Sequence, residues 1–488
     1  MTTAARTAGE RMTTETKPRR KSAAKAAGGR MGKWWRRSWY KVGRGRLLRS
    51  VVRLARWHET AQRGTFASTR QTPALTPILT DTHPIPAGPP LGVDLLTNQA
   101  VLENCRGLYQ GGFVTSPNEA IVGGIGTAKS TYAKINLLRS IVVGGRGVVF
   151  DRKRQQQSDE DGTVIGGEYA KLTAAVGGMR IRCHQDPQFG TRINVLDPAI
   201  SALTAAGESS TLGQDRLLIM VAEAALEEKL DVYQRSALLE AHKAAARLAA
   251  AAGRVPVLAD VIEQLQHPAG GEIVGVTQDR TREWGLPLVL ALKRYVDGGD
   301  LSGLIDGETS GPGGEPVTFD SPLLVFDTSA LEYGSTALGV MMAVTTAFLM
   351  SVWINVPGPK TVVVEEAYSA DGVGVIPSMF RDLSKRTRGV GASMLSVFHH
   401  VSDVAAGSPM ASLITESEVV CVFRQDKGAD ADAVMDLLSL DASLRDLIMT
   451  LPRGVHIRKR GAKLPVSVVE TYRTSLEKHV TFTDDALL

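Results

Sequence analysis

Three cysteines, Cys105, Cys183 and Cys421, are scattered through 488 residues with no CxxC spacing. This argues against a disulfide framework or a zinc site and fits a reducing cytoplasm. Aromatic residues are sparse, at 5%. The first 30 residues have no apolar h-region, and the pair Arg19-Arg20 leads into SAAKAAGG, so neither a secretory nor a twin-arginine signal is expected. Charge is missing from Tyr333 to Pro359, and Ala337–Ile354 is largely apolar. Its length would permit a membrane span. Thr345, Thr346 and Ser351 within it, and core-like strands on both sides, favour a buried core helix. No internal repeat is visible.

The charge that is present is divided unevenly. Residues 1–60 hold 17 basic and 3 acidic residues, whereas the remainder holds 39 basic against 48 acidic, so a strongly basic arm precedes an acidic body. The arm is the part suited to anionic partners. Residues 1–30 read as disordered. Within 34–57, Arg46, Arg49, Arg53 and Arg56 fall on one helical face, and Leu47, Leu48, Val51, Leu54 and Ala55 form the opposing stripe. Trp34, Trp35, Trp39 and Trp57 accompany it. An anionic membrane surface or a partner protein suits this helix, with nucleic acid, or docking on the protein's own body, as alternatives.

The whole chain divides into a basic arm at 1–66, a proline-rich linker at 67–100, a first core half at 101–200, a helical insertion at 201–310 and a second core half at 311–488. Strands alternating with helices in the two halves predict an α/β class with a mainly parallel sheet covered on both faces.

Residues 123–131, Gly123, Gly124, Ile125, Gly126, Thr127, Ala128, Lys129, Ser130 and Thr131, follow a short apolar strand and open a helix, the context that gives a Walker A phosphate loop its meaning. Glycines let backbone N–H groups surround phosphates, and the helix N-terminus adds partial positive charge. Lys129 would reach the β- and γ-phosphates of ATP, and Ser130 would offer its hydroxyl to Mg2+. Ala128 stands where a glycine is usual; with negative φ at the helix start, its methyl group would be tolerated. The strand Thr361-Val-Val-Val364 ends in Glu365 and Glu366. Glu365 would hold Mg2+ through water, and Glu366 would act as general base toward the attacking water. Glu365 is one methylene longer than the usual aspartate. The strand Leu323–Asp327, with one acid, reads as structural.

From these motifs outward the chain resembles the TraC-like (VirB-type) ATPases of conjugation and type IV secretion, within the HerA/FtsK group. The resemblance rests on an ordered series covering about residues 92–475: Asp151-Arg152-Lys153 with Gly167-Glu168-Tyr169, Gly177-Gly178, Asn194-Val195-Leu196-Asp197-Pro198, the helical block between the Walker motifs, and Lys385-Arg386-Thr387-Arg388. It implies a RecA-like P-loop NTPase fold and an ATP-hydrolysing motor that assembles as a homohexamer with other conjugation or secretion subunits at the inner face of the membrane. It also implies a γ-phosphate sensor at His399, where the family has glutamine, and an arginine donated to a neighbouring subunit, with Arg386 and Arg388 as candidates. Arg381 and Arg424 are further candidates for that arginine. The alternatives are an FtsK/HerA-like DNA translocase, for which DNA contact would be indirect, and a nucleotide-binding scaffold weakened at Ala128, Glu365 and His399.

Overall fold

The computed structural model describes residues 87–153, 157–158, 164–165, 167–201, 211–268, 275–296, 298–299, 301–332, 334–351, 353–365, 376–399, 409–462 and 464–482. The helix expected over 34–57 and the acid Glu366 lie outside them.

Among the described residues eleven strands form one sheet. In chain order they are β1 (Pro90–Asp94), β2 (Gln99–Leu102), β3 (Glu119–Val122), β4 (Arg146–Asp151), β7 (Met179–Arg182), β8 (Leu323–Asp327), β9 (Lys360–Val364), β10 (Ala392–Phe398), β11 (Val419–Val422), β12 (Val455–Arg460) and β13 (Ser467–Thr471); β5 (Gln157–Ser158) and β6 (Val164–Ile165) pair separately. Their order across the sheet is β2-β1-β13-β12-β11-β3-β10-β9-β4-β8-β7. From β11 to β7 every neighbour is parallel, and from β11 to β2 every neighbour is antiparallel.

Apart from the edge strand β7, the parallel strands are near-continuous apolar runs because both their faces are covered. Side chains alternate between the two layers. Val148, Phe150, Val362, Val364, Met394 and Phe398 pack in one cluster, with helices drawn from 211–292, 336–351 and 376–386. Val149, Val363, Leu395 and Val397 pack in the other, with Tyr132, Ala133 and Leu137 of the helix Lys129–Val142 and with Leu172 and Val480. β3 lies inside the sheet between β10 and β11, so the chain leaving its C-terminal end emerges at the middle of one sheet edge.

The linker drawn over 67–100 overlaps the sheet. β1 begins at Pro90 and pairs antiparallel with β13 and β2. A proline at the first position of a strand forfeits no ladder hydrogen bond that the strand needs, so Pro90 can open β1; residues 67–86 of the expected linker lie outside the described residues.

The uncharged segment forms the helix Thr336–Ser351. By length and composition Thr336–Asn355 could cross a membrane, yet 93% of its most apolar window is buried inside the protein. Thr345 and Thr346 are fully buried, and both hydroxyls donate to the carbonyl of Met342, at 3.1 and 2.6 Å. The hydroxyls are thereby satisfied within the helix, which lets it sit in an apolar layer.

Candidate nucleotide site

β3 ends at Val122, and the helix Lys129–Val142 starts seven residues later. The connecting turn is held against the end of β11: the Gly124 N–H donates to the Arg424 carbonyl at 2.8 Å. A Cβ at Gly123 would lie 2.5 Å from Cβ of Phe423, and one at Gly124 would run into the Asp426 carboxylate. Gly126 has φ +74°, which favours glycine. Ala128 is the helix N-cap with φ +81° and ψ +26°. The expectation of negative φ at Ala128 is therefore wrong. The helix begins one residue later, and the turn that closes the loop puts Ala128 in the left-handed region, where a methyl group costs about 1–2 kcal/mol.

Lys129 is buried, with its Nζ donating to the Gly124 carbonyl at 2.7 Å. The same carbonyl accepts from Thr127 Oγ1 at 2.8 Å, so the loop is closed by its own side chains. Ile125 is exposed at the loop tip, and Thr131 is buried below it.

Glu365 immediately follows β9 and is buried. Its Oε2 accepts from Ser130 Oγ at 3.3 Å, so the serine and the acid named for Mg2+ meet across 235 residues of sequence. Its Oε1 accepts from the Tyr169 hydroxyl at 2.6 Å. Burial and the neighbouring Glu168 push the Glu365 carboxyl up, while the Tyr169 hydrogen bond and the nearby Lys134 and Lys153 oppose the rise. Glu168 is held by Lys134 at 3.3 Å and by Lys153.

Beside this group, Asp151 and Asp327 are register partners at the ends of β4 and β8. Burial, then the adjacent Asp327, pushes the Asp151 carboxyl well up. Asp151 Oδ2 accepts from the Tyr169 N–H at 3.0 Å.

His399 follows Phe398, whose register partner is Val122, so it stands level with the start of the phosphate loop. Arg386 and Arg388 are exposed and precede β10, at the opposite end of the parallel strands from the loop. A strand the length of β10 spans roughly 23 Å, so neither arginine serves this chain's own loop. Arg424 does lie beside that loop, with its Nε 3.0 Å from Asp426. Arg381 lies on the helix Ile376–Arg386, 3.7 Å from Asp382.

Sequence reading missed the support beneath the loop. Glu119 of β3 is fully buried and accepts from Arg458 at 2.9 Å, from Cys105 at 2.7 Å, from Cys421 at 3.1 Å, and from Tyr132 of the helix that follows the loop. Burial alone would raise its carboxyl, but Arg458 and the three side-chain donors outweigh it and hold the group charged. Arg458 also donates to Glu103 at 2.6 Å and to the Tyr132 hydroxyl at 2.7 Å. A lone acid in an apolar strand was the only signal available.

Ser130 and Glu365 supply a hydroxyl and a carboxylate of the hard-oxygen type that suits Mg2+, and glycines with an ammonium surround the loop. The donor set therefore fits a nucleotide with Mg2+.

A mainly parallel sheet with a glycine-rich loop leaving its central strand defines a P-loop NTPase fold of RecA-like type. No family model and no curated protein matches the sequence. Among solved structures, the chain is similar to VirB4 of Thermoanaerobacter pseudethanolicus, at 21% identity over 80% of this chain and 98% of that one, with a TM-score of 0.60. A second similarity is to the plasmid coupling protein TrwB in complex with ADP and Mg2+, at 12% identity over 79% of this chain and 90% of that one, with a TM-score of 0.47. The first of these likenesses carries the fold.

Proposed function

We propose that this protein is a Mg2+-dependent ATP hydrolase that drives a conjugative transfer or type IV secretion-like machine. The observation that carries the reading is the meeting of Ser130 and Glu365 beside Lys129 at the mouth of one helix. Backbone N–H groups of 123–131 and the Lys129 ammonium, released from the Gly124 carbonyl, would take the phosphate charge. Ser130 and Glu365 would hold Mg2+, which supplies charge neutralisation across the phosphates when bound. Glu366 would take the proton of the attacking water, and His399, level with the loop, would hydrogen-bond the γ-phosphate or that water.

Arg386 and Arg388 are exposed at the far sheet end, which supports their donation to another copy's site in a homohexamer. The ordered motif series supports the conjugation role, with partner subunits of that machinery and a place at the cytoplasmic face of the membrane. Residues 34–57 would contact the anionic surface there. A second reading, a nucleotide-binding scaffold with feeble turnover, is favoured by the strained backbone at Ala128.

Steady-state ATP hydrolysis at high protein concentration separates the two. Turnover in the wild type, lost in Lys129→Ala and Glu366→Gln, supports the hydrolase. A wild type that binds nucleotide yet is as inactive as both variants makes the scaffold the better account.

A further inference from the structure

Glu365 stands where an aspartate is usual, and its extra methylene must be accommodated. The carboxylate is shared between two hydroxyls: Oε1 accepts from Tyr169 at 2.6 Å, and Oε2 accepts from Ser130 at 3.3 Å. Tyr169 is itself fixed along its whole length. Its N–H donates to Asp151 at 3.0 Å, and its carbonyl accepts from the Thr173 hydroxyl at 2.7 Å. Its ring is fully buried, with Lys134 Nζ 5.1 Å from the centroid and Lys134 bound to Glu168 at 3.3 Å. Gly167, with φ +76°, lets the chain pass close against Asp151 and Asp327, which delivers Tyr169 to this position.

We propose that Tyr169 is a positioning residue that holds one oxygen of Glu365 so that the other faces Ser130 and the metal. The assignment rests on the nucleotide-site reading above. A glutamate has one more free torsion than an aspartate, and a rigid hydroxyl donor removes that freedom before a ligand arrives. Tyrosine at 169 and glutamate at 365 are then a matched pair: shortening the acid by one methylene draws its carboxylate away from the hydroxyl.

The test measures the affinity of a fluorescent, non-hydrolysable ATP analogue for the full chain as Mg2+ is titrated. Wild type, Tyr169→Phe, Glu365→Asp and the double variant are compared, each with its melting curve and its Mg2+-free affinity. Tyr169→Phe is expected to raise the Mg2+ concentration for half-saturation roughly ten- to a hundredfold, the scale set by groups that orient metal ligands, with Mg2+-free affinity unchanged. In the Glu365→Asp background the same change is expected to add nothing. An unaltered Mg2+ requirement in Tyr169→Phe overturns the proposal, as does an equal penalty in both backgrounds, which would mark Tyr169 as mere packing. If the wild type itself binds no nucleotide at any Mg2+ concentration, the site reading fails and this assignment fails with it.

Discussion

The helix Lys129–Val142 has polar groups at its mouth and polar groups along its body, and the two sets are arranged oppositely. At the mouth, Lys129 and Thr127 both donate to the loop's own Gly124 carbonyl, and Ser130 meets Glu365 at a long 3.3 Å. Along the body, Tyr132 belongs to a buried group in which Glu119 has four side-chain donors besides Asn136 and Arg458 spans two carboxylates. Charge in the first place can be exchanged for a ligand, whereas charge in the second cannot be released without unfolding. An ionic group is thus not a functional signal by itself; the number of alternative partners decides.

The contrast can be broken most severely at Arg458. Arg458→Met leaves Glu119 buried without its cation, while Glu103 keeps Arg460 at 3.1 Å, and a loss of about 3–5 kcal/mol is expected from the denaturation midpoint. Lys129→Ala is the opposite case. Turnover is expected to fall by roughly a hundred- to a thousandfold, with the melting temperature little changed, because the Gly124 carbonyl keeps the Thr127 hydroxyl as its donor.

A third variant sharpens the lower half of the comparison. His456 is fully buried, stacked on Phe423 at 4.9 Å and edge-on to Tyr132 at 4.7 Å. Burial, then Arg458, pushes its imidazole down to about 3, so it is neutral when folded. Because the unfolded chain binds that proton first, stability is fully present above about pH 6.5 and falls on acidification toward pH 3. The slope is about 1.4 kcal/mol per pH unit for one proton. His456→Phe is expected to flatten that limb in urea melts taken from pH 7 to pH 4. The smallest effect is expected at Ala128→Gly, where relief of positive φ, less the added chain entropy, stabilises by about 0.5–1 kcal/mol in thermal melts.

The legible parts of this molecule were those in which chemistry and sequence neighbourhood coincide. The run from Gly123 to Thr131 and the strand ending at Glu365 each carry their own local context. What was not legible depended on geometry set elsewhere. The φ of Ala128 depends on where the first helical hydrogen bond closes, which a glycine-rich pattern leaves open by a residue. Pro90 looked like part of a linker because five other prolines precede it, but its strand exists through pairing with Ser467–Thr471, far along the chain. Arg458 and Glu119 are 339 residues apart, and β12 reads as half charged until both its neighbours are known. Tyr169 stands in a local motif, but its 2.6 Å contact with Glu365 spans 196 residues that no local pattern bridges.

The outer margin of the sheet bears on what could add to it. Among the described residues β7 pairs only with β8 in the sheet, and its far side is partly covered: the Arg182 N–H donates to the Thr191 hydroxyl at 3.2 Å, and the Arg182 carbonyl accepts from the Thr191 N–H at 2.8 Å. Two of its four residues are Arg180 and Arg182. A second β7 laid alongside would bring like charges together, so cover and charge both discourage a foreign strand from adding at this margin.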